Sequence, residues 1–199
     1  MDSFFTIEKA TVAEYKDRGS KFLAYVFPIS TVEDFKRHMD VLKKEHAKAA
    51  HLCFAYRIGT DGNNFRSSDA GEPSGTAGKP ILGQIDSKQI TNVAIIVVRY
   101  FGGTLLGVPG LINAYKTVAA LALQLTPITE KVIEIKYNIH CNYAQINDIM
   151  TIAKQYNCTV LGQEMGLFCS VDLGIPKTRL ELALHQLQDL FGVEIKKIA

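Results

Sequence analysis

The unbroken apolar run Val93–Val98 constrains the fold more than any other feature of the chain. A half-exposed strand alternates apolar with polar residues, and an exposed helix spaces its apolar residues three or four apart; this run does neither. Extended to Thr91 and Phe101 and ended by Gly102-Gly103, it predicts a strand covered on both faces of its sheet. The rest of the chain can supply that cover, with 199 residues, 47% of them hydrophobic and 21% charged. Disordered, collagen-like and disulfide-scaffold classes are excluded. The run is far short of the ~20 residues that span a bilayer, and the amino terminus lacks a charged-then-apolar signal pattern, so a cytoplasmic chain without a membrane partner is expected.

The elements around this strand follow from period and punctuation. Thr6–Ala13 and Lys21–Ile29 read as strands of a hairpin across Asp17-Arg18-Gly19-Ser20. Ser30 and Thr31 open a helix carrying Val32, Phe35, Met39 and Leu42 on one face, with Ser30 and Glu33 matching a capping box. A strand is predicted at His51–Ile58, followed by a polar, glycine-rich stretch from Gly59 to Gly78, long enough to be a functional loop. A helix resumes near Thr76 with Pro80 in its first turn, and another begins near Pro109 with the stripe Leu111, Ile112, Tyr115, Val118, Ala119, Ala122 and Leu123.

Thr126-Pro127 stops that helix, and a hinge is expected between Leu125 and Glu130, dividing the chain into 1–127 and 128–199. Beyond it come strand Lys131–His140, helix Ala144–Tyr156, strands Cys158–Glu164 and Leu167–Leu173 joined at Met165-Gly166, helix Lys177–Leu190 and strand Val193–Ile198. That order is βαββαβ and reads as a ferredoxin-like domain. The fold class is α+β. Up to Ile128 there are 15 Lys and Arg against 12 Asp and Glu, and beyond it 7 against 8, so what basic excess exists lies in the first part.

Two glycine clusters carry the candidate chemistry. In Ser67–Pro80, small and hydroxyl residues precede a helix whose first N–H groups lack intrahelical acceptors, an end that suits an anion; Lys79 adds charge, and Gly75 and Gly78 allow close backbone approach. It is no Walker A loop, because Gly78-Lys79 is followed by Pro80. The plain alternative is a turn in which Thr76 caps its own helix. In Arg99–Gly110, the buried-type strand delivers Arg99 and Tyr100 to the turn Gly102-Gly103; Arg99 should meet Asp69, Glu72 or an external anion, because burying it unpaired is costly. The two glycine segments should converge at one end of the sheet if their strands are neighbours. His51 caps the sheet or faces the same cleft as Tyr56. Asp69 and Glu72 could chelate a divalent ion or share a proton, though turn and cap hydrogen bonds are the commoner use of such a pair. Cys53, Cys141, Cys158 and Cys169 have neither zinc-knuckle nor redox-pair spacing and read as buried thiols. No metal or cofactor is expected.

His51, Tyr56, the run Ser68–Leu82, Val98–Gly103, Gly110-Leu111 and Ala114-Tyr115 together resemble the YigZ/IMPACT family. The resemblance spans the whole chain. It implies a first domain with the βα-rich fold shared by a small-subunit ribosomal protein and elongation factor G, then a ferredoxin-like domain similar to the last domain, domain V, of that factor. It also implies a role around translation, without a known reaction. Eukaryotic relatives are associated with restraining a starvation-response kinase by binding its ribosome-linked activator, but carry a different partner domain. The binding positions it implies are His51, Tyr56, Asp69, Glu72, Thr76, Lys79, Arg99, Tyr100, Gly102, Gly103 and Tyr115. The chain departs from many members at Val108-Pro109-Gly110, where they carry a glycine pair, and at Asn113, where they carry a basic residue. The leading expectation is a regulatory binding protein that acts through RNA, the ribosome or a ribosome-associated protein. The alternative is an enzyme or sensor that binds a small anionic, phosphorylated metabolite at the glycine-rich loops.

Overall fold

The computed structural model describes residues 2–166 and 168–198. They form two compact units, one running Phe4–Lys131 and the other running from Val132 onward together with Asp2 and Ser3.

The first unit is built on a five-stranded antiparallel sheet. Its strands are β2 (Thr11–Asp17), β3 (Ser20–Pro28), β4 (His51–Ile58), β5 (Asn64–Ser68) and β6 (Val93–Tyr100), in the spatial order β2-β3-β6-β4-β5. β6 occupies the centre, and every residue from Val93 to Arg99 is buried. Helix α1 (Val32–Glu45) covers one face, where Phe35, Met39 and Leu42 pack with Tyr56, Ile58, Ala94 and Ile96. Helices α2 (Gly78–Ser87) and α3 (Gly107–Gln124) cover the other, where Ile81, Ile85, Val118 and Ala122 pack with Ala55, Val93, Ile95 and Val97. Each fully buried Val or Ile contributes ~1.5–3 kcal/mol, which is why the apolar run occupies the middle strand.

Local signals set the element ends. Arg18 and Gly19 both have positive φ (44° and 79°), the geometry of a tight turn that follows the twist of its strands, and they join β2 to β3. The capping box at α1 is made by Thr31 and Asp34, one residue later than Ser30 and Glu33: the Thr31 side chain accepts from the Asp34 N–H, and the Asp34 carboxylate accepts from the Thr31 N–H. The amino-terminal segment differs from the expected strand Thr6–Ala13. It is broken at Glu8–Ala10 into β1 (Ser3–Ile7), which pairs with β7 (Ile128–Val132), and β2. The stretch Gly59–Gly78 is not one long loop, because β5 lies inside it as an edge strand paired with β4.

In the second unit β8 (Glu134–Cys141), α4 (Ile146–Gln155), β9 (Thr159–Glu164), β10 (Cys169–Pro176), α5 (Leu180–Gln188) and β11 (Glu194–Lys197) give the order βαββαβ. The antiparallel sheet runs β11-β8-β10-β9, the ferredoxin-like arrangement. Ile139, Ile149, Val171, Leu173, Ile175, Ala183 and Leu187 form its core. The strand expected at Lys131–His140 divides at Ile133 into β7 and β8. Leu167, placed at the start of a strand by sequence, lies outside the described residues. No helix among the described residues is long and apolar enough to cross a membrane. Of the four free thiols Cys158 is half-buried and the other three are buried.

Candidate functional site

β5 and β6 both run antiparallel to β4, one on each side of it, so they point the same way and release their loops at the same end of the sheet. Residues 69–77 follow β5 and lead into α2; residues 101–106 follow β6 and lead into α3. His51 starts β4 at that end and stands directly opposite Arg99 in the register.

The first loop is organised around a carboxylate. Asp69 accepts from the N–H groups of Gly75 at 2.8 Å, Ala77 at 2.9 Å and Gly78 at 2.8 Å, so it satisfies the amino end of α2 from eight and nine residues away. Burial raises its pKa, but these three donors and the charge of Lys79 outweigh that and leave it below the ordinary carboxylate value. Thr76 does not cap the helix: its hydroxyl donates to the Pro73 carbonyl at 2.7 Å. A Cβ on Gly78 would sit 2.7 Å from the Ser68 N, so this close approach of helix to strand demands glycine. The anion held at the amino end of α2 is thus the protein's own.

Glu72 and Arg99 join the two loops. Arg99 Nη1 donates to Glu72 Oε1 at 2.6 Å, and the side chains are only 6% and 3% exposed. The Tyr115 hydroxyl, fully buried on α3, donates to the same oxygen at 2.7 Å. Cys53 Sγ lies 3.3 Å from that hydroxyl and 2.9 Å from the Asp69 carbonyl, and burial pushes its thiol up to about 12. Burial likewise raises the Tyr115 hydroxyl far above its ordinary value. Arg99 Nη2 reaches Ser20 Oγ at 3.4 Å, the guanidinium lies over the rings of Phe22 and Phe101 (5.4 and 5.7 Å), and Arg99 Nε has no partner among the described residues. Ser20 Oγ also accepts from the Gly102 N–H at 3.2 Å. A Cβ on Gly102 would collide with the carbonyl carbon of Gly19, so the second loop is locked to the β2–β3 turn by a glycine-only contact.

Between the loops a cleft of about 500 Å³ opens, with His51, Glu72, Pro73, Arg99, Phe101 and the first residues of α3 in its walls. The structure therefore gathers His51, Asp69, Glu72, Arg99, Gly102, Gly103 and Tyr115 at one end of the sheet. Lys79 is exposed on the first turn of α2. Tyr56 and Tyr100 lie on the other face. Tyr56 packs against Phe35 in the α1 core, and the Tyr100 hydroxyl pairs with His46 Nδ1 at 2.8 Å. His51 and Tyr56 thus do not share a cleft, because residues five apart on a strand point to opposite faces. Asp69 and Glu72 are spent on the helix cap and the ion pair, and no group of three or more metal-ligating side chains occurs among the described residues. Ser20, Cys53 and Phe101 escaped the sequence reading. Ser20 was visible only as a turn residue, and Cys53 only as a buried thiol.

The Impact N-terminal domain profile matches residues 18–123. Over 191 residues the chain is 32% identical to an IMPACT family member of Haemophilus influenzae, covering 95% of this chain and 93% of that protein. Over 184 residues it is 31% identical to the IMPACT family member YigZ of Escherichia coli, covering 92% and 90%. The crystal structure of a hypothetical protein is similar throughout, with TM-score 0.77 at 27% identity, covering 100% of this chain and 98% of that one.

Proposed function

The chain belongs to the IMPACT family, and we propose on that premise that it is a cytoplasmic regulatory binding protein of the translation machinery, acting through the ribosome or a ribosome-associated component rather than by catalysis. The observation that carries the choice of binding over catalysis is the internal commitment of the reactive groups. Glu72 is held by Arg99 and Tyr115, Asp69 is held by three backbone donors, and the Cys53 thiol is pushed up to about 12, far from a nucleophile's range. Such a network fixes the shape of two loops by spending both carboxylates and the thiol inside the fold. Binding through phosphates would be strongly salt-dependent.

The test is sedimentation of the purified chain with ribosomes over a salt series, in the wild type and in Arg99→Ala, with Arg57→Ala as control. Arg57 pairs with Asp86, well away from both loops. Association that weakens more in Arg99→Ala than in Arg57→Ala, among equally folded samples, is the expected result. No co-sedimentation even at low salt would remove the ribosome reading.

A further inference from the structure

The two helices that begin at the site treat their amino ends differently. α2 receives the Asp69 carboxylate. α3, with 18 residues, has no side-chain cap, and among the described residues nothing accepts from the N–H groups of Gly107 and Val108. Pro109 has no N–H to satisfy, so within the first turn of this long helix Gly107 and Val108 carry the open donors of its positive end. Both residues line the cleft beside Arg99.

A second observation concerns Arg99 itself. It is 5% exposed, it forms part of the cleft wall, and its Nε–H has no partner among the described residues, although a buried guanidinium N–H normally has one. Glu72 lies in the same wall, but its charge is matched by Arg99 and its Oε1 also accepts from Tyr115. His51 gives its Nδ1–H to the Ala70 carbonyl at 2.9 Å and keeps Nε2 4.0 Å from Glu72. The polar groups of the cleft therefore comprise one compensated ion pair, an imidazole and the positive end of a helix. The remaining wall is apolar, from Pro73, Phe101, Leu105 and Leu106 to Leu111. Leu105 is 82% and Phe101 51% exposed, so the cleft offers ring-sized apolar surface at its mouth.

We propose that this cleft is a binding site for an oxyanion, a phosphate monoester or carboxylate, carried on a planar apolar body. The α3 N–H groups of Gly107 and Val108 hold the anion, with the compensated Arg99–Glu72 pair in the wall beside them, and Phe101 and Leu105 pack against the body. The inference does not rest on the translational reading and fails or stands separately from it.

The experiment is an amide-resonance titration of the ¹⁵N-labelled full chain with phenyl phosphate, phenylacetate, inorganic phosphate and benzyl alcohol. Saturable shifts of the Gly107 and Val108 amides with at least one aryl anion are expected, with phenyl phosphate or phenylacetate binding at least about tenfold tighter than inorganic phosphate because the ring leaves water. The tighter of the two aryl anions names the head group, and benzyl alcohol leaves both amides unmoved. Val108→Asp places a carboxylate beside these donors on an exposed position and suits a helix amino end, so its melting temperature stays at or above the wild type while anion affinity falls by about tenfold or more. Unmoved amides with both aryl anions, or equal affinity in wild type and Val108→Asp, would overturn the proposal.

Discussion

Arg99 and Glu72, 27 residues apart in the chain, meet at 2.6 Å with almost no access to water. A buried pair of this kind is worth little against a matched apolar replacement, but removing one member strands the other's charge. Glu72→Ala should therefore cost about 3–5 kcal/mol in denaturant unfolding. The double variant Glu72→Ala/Arg99→Ala should cost clearly less than the sum of the two single variants. Additive losses in that cycle would mean that the pair does not act as a unit.

Two glycines test the backbone contacts. Gly102→Ala would drive its Cβ into the Gly19 carbonyl carbon, and a loss of several kcal/mol or failure to fold is expected because backbone must move. Gly83→Ala in α2 meets nothing within 4 Å among the described residues, so it should stabilise by about 0.5–1 kcal/mol. Thermal melts of both variants suffice, and equal shifts in one direction would refute the geometric reading of Gly102.

Asp69 links the cap of α2 to pH. Its pKa is lowered in the folded state, so its contribution to stability is full above the unfolded value of ~3.9 and fades as pH falls through the folded one. Asp69→Ala should cost about 0.5–2 kcal/mol near pH 7. The gap between variant and wild type should narrow below about pH 4. A gap unchanged down to pH 2 would show that the carboxylate charge is not what caps the helix.

The Cys53 thiol, at about 12, is protonated at every physiological pH. At pH 8 its thiolate fraction is roughly a thousandfold below that of an ordinary cysteine, so alkylation by iodoacetamide should follow global unfolding. Peptide mapping of native protein after timed alkylation reads this directly. Fast labelling of Cys53 in the native state would contradict the burial that raises it.

Legibility in the sequence tracked burial. β4 was readable at His51–Ile58, and β6 was legible in Val93–Val98 because an apolar run admits few readings. β5 was invisible: its first three residues, Asn64, Phe65 and Arg66, are exposed, and an edge strand facing solvent carries no alternation to detect. The capping box was displaced by one residue because Ser30 with Glu33 and Thr31 with Asp34 have the same spacing, and only the backbone path selects the second. At the site, the need of Arg99 for a negative partner was legible from the cost of a lone buried charge. The choice among Asp69, Glu72 and an external anion was not, since it depends on Asp69 being consumed by α2. Tyr56 and Tyr100 lie on the α1 face by strand parity, and a motif that groups residues along the chain carries no information on which face each one takes.

The central strand has a consequence for how this protein tolerates change. Arg99 and Tyr100 are covalent neighbours, yet one side chain faces α3 and the other meets His46 on the α1 side. Energetic coupling in this part of the molecule should therefore ignore chain distance: paired substitutions at 99 and 100 combine as independent events, whereas those at 99, 72, 115 and 20 do not. The sheet acts as a partition, so variation can accumulate on the α1 side of β6 without disturbing the loops that meet on the other.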